Sequence, residues 1–139
     1  MSTAEFLRGK GIRPSHQRIR IFEALAGTKA HPAADAIHRA LSPRMPTLSR
    51  TTVYATLELF VGKGVAQRLA LSGSEVRFDA DLRPHVHFRC RSCGAVSDLA
   101  GHRAPAPPRV PRGYLVESSQ FYAEGLCPAC AESARRSGA

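Results

Sequence analysis

Residues 85–98, HVHFRCRSCGAVSD, hold two histidines, two cysteines and an aspartate in fourteen positions. A second Cys-x-x-Cys follows at Cys127 and Cys130. Disulfides, redox dithiols, metal sites and catalytic centres all draw on these residue types, so spacing has to decide among them. Two Cys-x-x-Cys knuckles with 33 residues between them present four thiolates to one tetrahedral zinc. In a reducing compartment that use is favoured over disulfides. A redox dithiol or switchable disulfide is the competing use, and inert thiols are a third. A closed site of Cys90, Cys93, Cys127 and Cys130 has no open coordination position, so it holds structure and performs no chemistry.

His85 and His87 then need another role. On a strand, residues two apart point to the same face, so both imidazoles are expected to converge, and a second metal is one use for them. Asp98 on the following strand can reach the same spot. Asp79, six residues before His85, can join from the preceding segment. The competing reading is a surface His-x-His that binds nothing. His31, at the start of a helix, reads equally as a cap or a packing residue, and His16, His38 and His102 carry no further signal.

These side chains need elements to position them. The spacing of Ile19, Phe22 and Leu25 predicts a helix over 14–27, with Pro14 in its first turn and Gly27 at its end. A second helix is expected over 32–42, with Pro32 in the first turn and Ile37 and Leu41 facing inward. A third covers 49–61, with Ser49 as N-cap and Val53, Leu57 and Phe60 as its buried stripe. Its opposite face carries Arg50, Thr51, Tyr54 and Ala55. Such a face suits a major groove as well as it suits plain solvent. Residues 65–79 read as two strands around Ser-Gly-Ser. Three helices followed by a hairpin make a winged helix-turn-helix, and that context favours DNA. The hairpin is then the wing, with Arg68 or Arg77 near backbone phosphates.

The chain has 139 residues, a formal net charge of +9 and 43 % hydrophobic residues. That suffices for one medium domain or two small ones. Only Lys10, Lys29 and Lys63 among the basic residues are lysines, and arginine forks suit phosphates and base edges. Residues 1–81 carry 12 basic and 7 acidic side chains and residues 82–139 carry 8 and 4, so charge does not locate the DNA module. No apolar run approaches the roughly 18 residues of a membrane span. The start, MSTAEFLRGKGIRP, has no apolar core of a signal peptide, so no membrane partner and a cytoplasmic location are expected. Past residue 81 the segments HVHFRC, GAVSDL and YLVESSQFYAEGLC read as strands. Residues 100–113 hold four prolines and are expected to form a loop. The expected domains are 1–81 and 82–139.

The segments AHPAADAIHRAL, SRTTVYATLELF, RFD, HVHFRCRSCGAV and GLCPAC, in this order, resemble the ferric uptake regulator family over about residues 8–131. The resemblance implies an α+β fold, an N-terminal winged helix-turn-helix joined to a small C-terminal α/β dimerisation domain. It implies a homodimeric, metal-responsive repressor on a double-stranded DNA operator, and no enzyme. By motif position, Cys90, Cys93, Cys127 and Cys130 correspond to structural Zn2+ ligands. His31, Asp79, His85, His87 and Asp98 correspond to regulatory-metal ligands. Arg50, Thr51, Tyr54 and Arg18 are the candidate DNA contacts.

Asp79 and Asp98 stand where iron-uptake members tend to have glutamate, so the site most resembles the peroxide-sensing branch. In that branch bound Fe2+ reacts with peroxide and a ligand histidine is oxidised, which here means His31 or His85. Three nitrogens and two oxygens suit Fe2+ or Mn2+. The alternative is a sensor of iron, manganese or zinc sufficiency that represses uptake genes. Two further classes are a metalloenzyme and a zinc-stabilised interaction module. The chain departs from the family pattern at Ala55, where many members are polar. Serines at 118 and 119 replace histidines, which argues against a third metal site. The Pro-rich segment replaces one that is often helical, so a smaller or differently shaped dimer interface is expected.

Overall fold

The computed structural model describes residues 1–71, 75–99, 108–117 and 119–138. They form two compact units, Met1–Leu82 and Arg83–Ala139.

The first unit runs α1 (Thr3–Gly9), α2 (His16–Ala26), α3 (Ala34–Leu41), α4 (Arg50–Gly62), β1 (Gln67–Leu69) and β2 (Arg77–Asp79). This is a winged helix-turn-helix with one helix more than the sequence pattern suggested. At α1 the Ser2 side chain accepts from the Glu5 amide while the Glu5 carboxylate accepts from the Ser2 amide. This reciprocal cap starts a helix too short for its apolar spacing to stand out. Its Leu7 is fully buried, and Phe6 stacks on Phe22 with ring centroids 5.2 Å apart.

Two helix starts differ from expectation. Pro14 lies ahead of α2, because the Ser15 hydroxyl accepts from the Arg18 amide at 3.2 Å and begins the helix there. Pro32 lies ahead of α3, because its carbonyl is engaged elsewhere, accepting from the Phe78 amide at 3.0 Å. In α4 the expected Ser49 cap is present, accepting from the Thr52 amide at 3.0 Å. Val53, Leu57 and Phe60 are fully buried among Leu7, Ile21, Leu25, Ile37 and Phe78. Gly64, at φ +72°, turns the chain out of the helix so that the Val65 amide returns to the Phe60 carbonyl. β1 and β2 pair antiparallel, with Arg68 opposite Phe78 and Gln67 opposite Asp79. The expected Ser-Gly-Ser turn at 72–74 lies outside the described residues.

The second unit is a three-stranded sheet of order β4-β3-β5 followed by a helix: β3 (His87–Cys90), β4 (Val96–Asp98), β5 (Tyr122–Gly125) and α5 (Pro128–Arg136). β4 is antiparallel to β3 and β5 is parallel to it. His85 precedes β3, so strand alternation does not relate it to His87. The long strand segment expected before Cys127 shrinks to Tyr122–Gly125. α5 was not expected. Pro128 supplies its first turn, where a missing N–H costs nothing, and Arg135 and Arg136 complement its C-terminal end. Of the Pro-rich segment, 108–113 form neither helix nor strand and 100–107 lie outside the described residues. Among the described residues no helix is long and apolar enough to cross a membrane.

Candidate metal centres and nucleic-acid face

The four cysteines come together at the end of the second unit's sheet. Cys90 closes β3, and its amide donates to the Ala95 carbonyl at 2.9 Å. A tight turn follows, in which the Gly94 amide returns to the Cys90 carbonyl at 2.9 Å with Gly94 at φ +77°. The Arg91 amide donates to the Gly125 carbonyl at 2.8 Å, which holds the ends of β3 and β5 side by side. Cys127 is then the N-cap of α5 and Cys130 lies in its first turn.

The four sulfurs lie within 4.8 Å of one another, and Cys93 Sγ is 3.9 Å from Cys127 Sγ. A tetrahedral zinc with bonds of about 2.3 Å sets its sulfurs about 3.8 Å apart, so the donors fit it. All four thiols are free, and 3.9 Å is nearly twice a disulfide bond of about 2.05 Å. The Cys93 amide, then the Cys127 amide, hold Cys90 as thiolate and lower its pKa to about 6. Hydrogen bonding to the Cys127 sulfur pushes Cys130 up to about 12. A lowered thiol beside a raised one marks sulfurs that compete for the same protons, which a bound cation would displace.

The histidine–aspartate donors form one set in each unit. In the first, His31 sits in the loop before α3 at φ +50°, in the left-handed region that few non-glycine residues adopt. Two bonds lace this loop to β2. The Arg77 guanidinium donates to the His31 carbonyl at 3.3 Å, and the Phe78 amide donates to the Pro32 carbonyl. Asp79, ending β2, therefore meets His31, with Nδ1 3.7 Å from Oδ2. Both side chains are buried. The second Asp79 oxygen accepts from the Asp81 amide at 2.9 Å, which fixes the carboxylate.

In the second unit the register of β3 with β4 puts Asp98 directly opposite His87. Cross-strand partners share a face. His85 reaches the same place from outside the strand, with its ring 4.3 Å from that of His87. His85 Nε2 is 3.2 Å and His87 Nε2 3.6 Å from one oxygen, Asp98 Oδ1. Two imidazole nitrogens and a carboxylate oxygen thus aim at one point. The first set offers one nitrogen and one carboxylate. Both are donor types for a borderline divalent cation such as Fe2+, Mn2+ or Zn2+.

On the first unit, Arg50, Thr51, Tyr54 and Ala55 are exposed on α4, as expected. Beside them an open cleft of about 690 Å³ is lined by Arg13, Ser15, Gln17, Arg18, Thr51 and Ala55. Arg18 donates to the Arg13 carbonyl at 2.9 Å and braces the lip of that cleft. The wing arginines have partners within the chain. Arg68 pairs with Glu58 of α4, and Arg77 is partly buried and serves the His31 loop. Asp35, which drew no attention in the sequence, binds Arg50 through both carboxylate oxygens at 3.0 and 2.9 Å. Its only advance signal was an acidic residue in the first turn of α3.

The profile of the Ferric uptake regulator family matches residues 9–106. The chain belongs to the ferric uptake regulator family. Its sequence is 38 % identical over 93 residues to the peroxide-responsive repressor PerR of Staphylococcus epidermidis. That match covers 67 % of this chain and 62 % of the relative's length. A solved structure on peroxide sensing and gene regulation by PerR from Streptococcus pyogenes is 28 % identical, covering 91 % of this chain and 88 % of that one, with TM-score 0.52. A zinc uptake regulator solved with zinc and DNA shares the fold, at 17 % identity and TM-score 0.67, covering 94 % of this chain and 91 % of that one. The family match spans α2 to β2, Cys90 and Cys93, and every histidine and aspartate named above. Cys127 and Cys130 lie beyond it.

Proposed function

We propose that the protein is a cytoplasmic, homodimeric, metal-dependent transcriptional repressor that releases its DNA operator when hydrogen peroxide oxidises one of its ligand histidines. The observation that carries this reading is the convergence of His85 and His87 on one oxygen of the short Asp98 carboxylate. The curated relative described above, named for its peroxide response, supports it.

Residues 1–81 are the DNA-binding domain. Arg50, Thr51 and Tyr54 enter the major groove from α4, and Arg18 meets backbone phosphate at the adjoining cleft. Residues 82–139 are the dimerisation and sensing domain. Cys90, Cys93, Cys127 and Cys130 hold a structural Zn2+. The exposed Tyr114, Leu115 and Phe121 give a second copy of the chain an apolar surface to cover.

His31 and Asp79 join His85, His87 and Asp98 around one regulatory Fe2+ or Mn2+. Ligands drawn from both domains make their relative orientation depend on that ion, a bistable element biased by a ligand. Fe2+ held there would supply the electron that opens the O–O bond of hydrogen peroxide; overall, one peroxide gives one oxygen to a ligand imidazole and its second oxygen leaves as water. His31 and His85 are the ligand imidazoles that would take up that oxygen. A histidine carrying an added oxygen is a poorer ligand, the donor set weakens, and the DNA-binding orientation is no longer held. The event happens once per site, so the protein is a sensor and not an enzyme. Zinc around the thiols keeps the cysteines out of this reaction.

The same donor set accepts zinc and manganese. A second reading therefore keeps the repressor and makes metal sufficiency the signal, repressing uptake genes. One experiment separates the two. Full-length protein loaded with Fe2+ or Mn2+ is bound to duplex DNA carrying its selected sequence, then given peroxide or a chelator. Release by peroxide from the Fe2+ form, but not from the Mn2+ form, is expected. Release by chelator alone, with the Fe2+ form indifferent to peroxide, supports metal sufficiency instead.

A further inference from the structure

Arg50 is the first residue of α4, and a cation at a helix N-terminus opposes the helix dipole. Asp35, in the first turn of α3, offsets that charge with a side-on pair. Its Oδ1 accepts from Nε at 3.0 Å and its Oδ2 from Nη2 at 2.9 Å. The Arg50 side chain is 65 % exposed and that of Asp35 30 %. Exposed pairs of this kind contribute little to stability. What the pair does is geometric. It removes the rotamer freedom of a long side chain and fixes the plane of its guanidinium.

A guanidinium has five N–H donors, and the carboxylate takes one on Nε and one on Nη2. The end-on edge remains, with parallel N–H groups on Nη1 and Nη2. That edge matches O6 and N7 of guanine in a major groove. A phosphate contact needs no such fixed fork, and the neighbouring carboxylate repels phosphate. The first residues of a recognition helix are those that reach base edges.

We infer that Asp35 is a positioning residue that pre-orients Arg50 to read a single guanine in each half-site, which makes the pair a specificity determinant. The inference rests on the DNA-binding reading above. Pre-orientation in the free protein lowers the ordering cost at binding and penalises duplexes without guanine at that position, because the held fork then meets no acceptors.

The test is a selection from a randomised duplex library with the Mn2+-loaded full chain, followed by sequencing. The wild type should prefer guanine at one position per half-site by roughly ten-fold, the worth of one bidentate base contact. Asp35→Asn should erase the preference at that position and leave the others. Arg50→Ala should erase the same one, and the double variant should lose nothing further. Asp35→Ser, also compatible with a helix first turn, repeats the test should the asparagine variant not fold. A merely structural role for Asp35 weakens all positions together, and that outcome overturns the inference. So does an Asp35→Asn protein that still selects the guanine. A wild type that enriches no sequence overturns the DNA reading itself, and the inference falls with it.

Discussion

The cysteine cluster and the histidine–aspartate sets use similar numbers of donors and differ in how the chain delivers them. Each cysteine pair sits within a single turn, Cys90 to Cys93 after a strand and Cys127 to Cys130 at the start of a helix. Both pairs belong to one unit, and their sulfurs stand at distances a tetrahedral zinc would set. The other donors come from a strained loop, three strands and a segment ahead of a strand, divided between the two units. Local delivery suits an ion that never leaves. Distributed delivery suits an ion whose presence has to be felt elsewhere, because its loss changes how distant segments are held.

The largest effect expected from this contrast is on folding. Binding energy at a structural zinc site is folding energy, about 10–16 kcal/mol in small zinc domains. Replacing all four cysteines by serine should abolish zinc content and the melting transition of residues 82–139, read by calorimetry and metal analysis. A four-serine protein with unchanged melting would end the distinction between the two centres.

His87→Ala should do the opposite. Zinc content and melting of the second unit should stay near wild type, while metal-dependent DNA affinity falls by at least about ten-fold, the usual scale of losing one contact in a metal site. Parallel loss of zinc would mean that the two centres are one.

Proton competition sharpens the comparison further. Cys90, lowered to about 6 by the amides of Cys93 and Cys127, stabilises the metal-free fold above the ordinary thiol range. That contribution shrinks as pH falls toward 6 and is gone below it. Cys130, raised to about 12, stabilises that fold below the ordinary thiol range and loses its contribution as pH rises through 12. With metal present, protons and zinc compete for the same sulfurs. Zinc transfer to a chelator should therefore quicken steadily from pH 7.5 to pH 5. A rate independent of pH would remove the thiolates from the zinc site.

Much of this contrast was legible in the sequence because spacing along the chain records local delivery. Cys-x-x-Cys announces a knuckle wherever it falls, and the stripe of Val53, Leu57 and Phe60 announces which face of α4 is buried. Among the histidine–aspartate donors, His85, His87, Asp79 and Asp98 were legible as one possible metal set, and His31 only by family resemblance. Nothing in the types of His31 or Pro32 reveals a left-handed histidine tied to β2 through Arg77 and Phe78. The strand expected at HVHFRC begins only at His87, so the alternation argument for His85 failed while its ring still stacks near His87. α5 escapes the sequence pattern because its first residue, Pro128, lies inside the second Cys-x-x-Cys. The Asp35–Arg50 pair joins residues fifteen apart on successive helices, a spacing that no single-element periodicity marks.

The smallest effect is expected at Asp98. Asp98→Glu keeps the charge and donor type and lengthens the arm by one methylene. Metal-dependent DNA binding should survive nearly intact, with oxidation by peroxide slowed. A complete loss of binding would show that this position serves affinity and not reactivity.

Whether one centre senses while the other only holds is decided by peptide mass spectrometry of the Fe2+-loaded protein before and after a low dose of peroxide. One added oxygen is expected on the peptide containing His31 or His85, with Cys90, Cys93, Cys127 and Cys130 unmodified and the Mn2+-loaded protein unchanged. Oxidation confined to the cysteines, with both histidines intact, would contradict it and move the sensor to the zinc site.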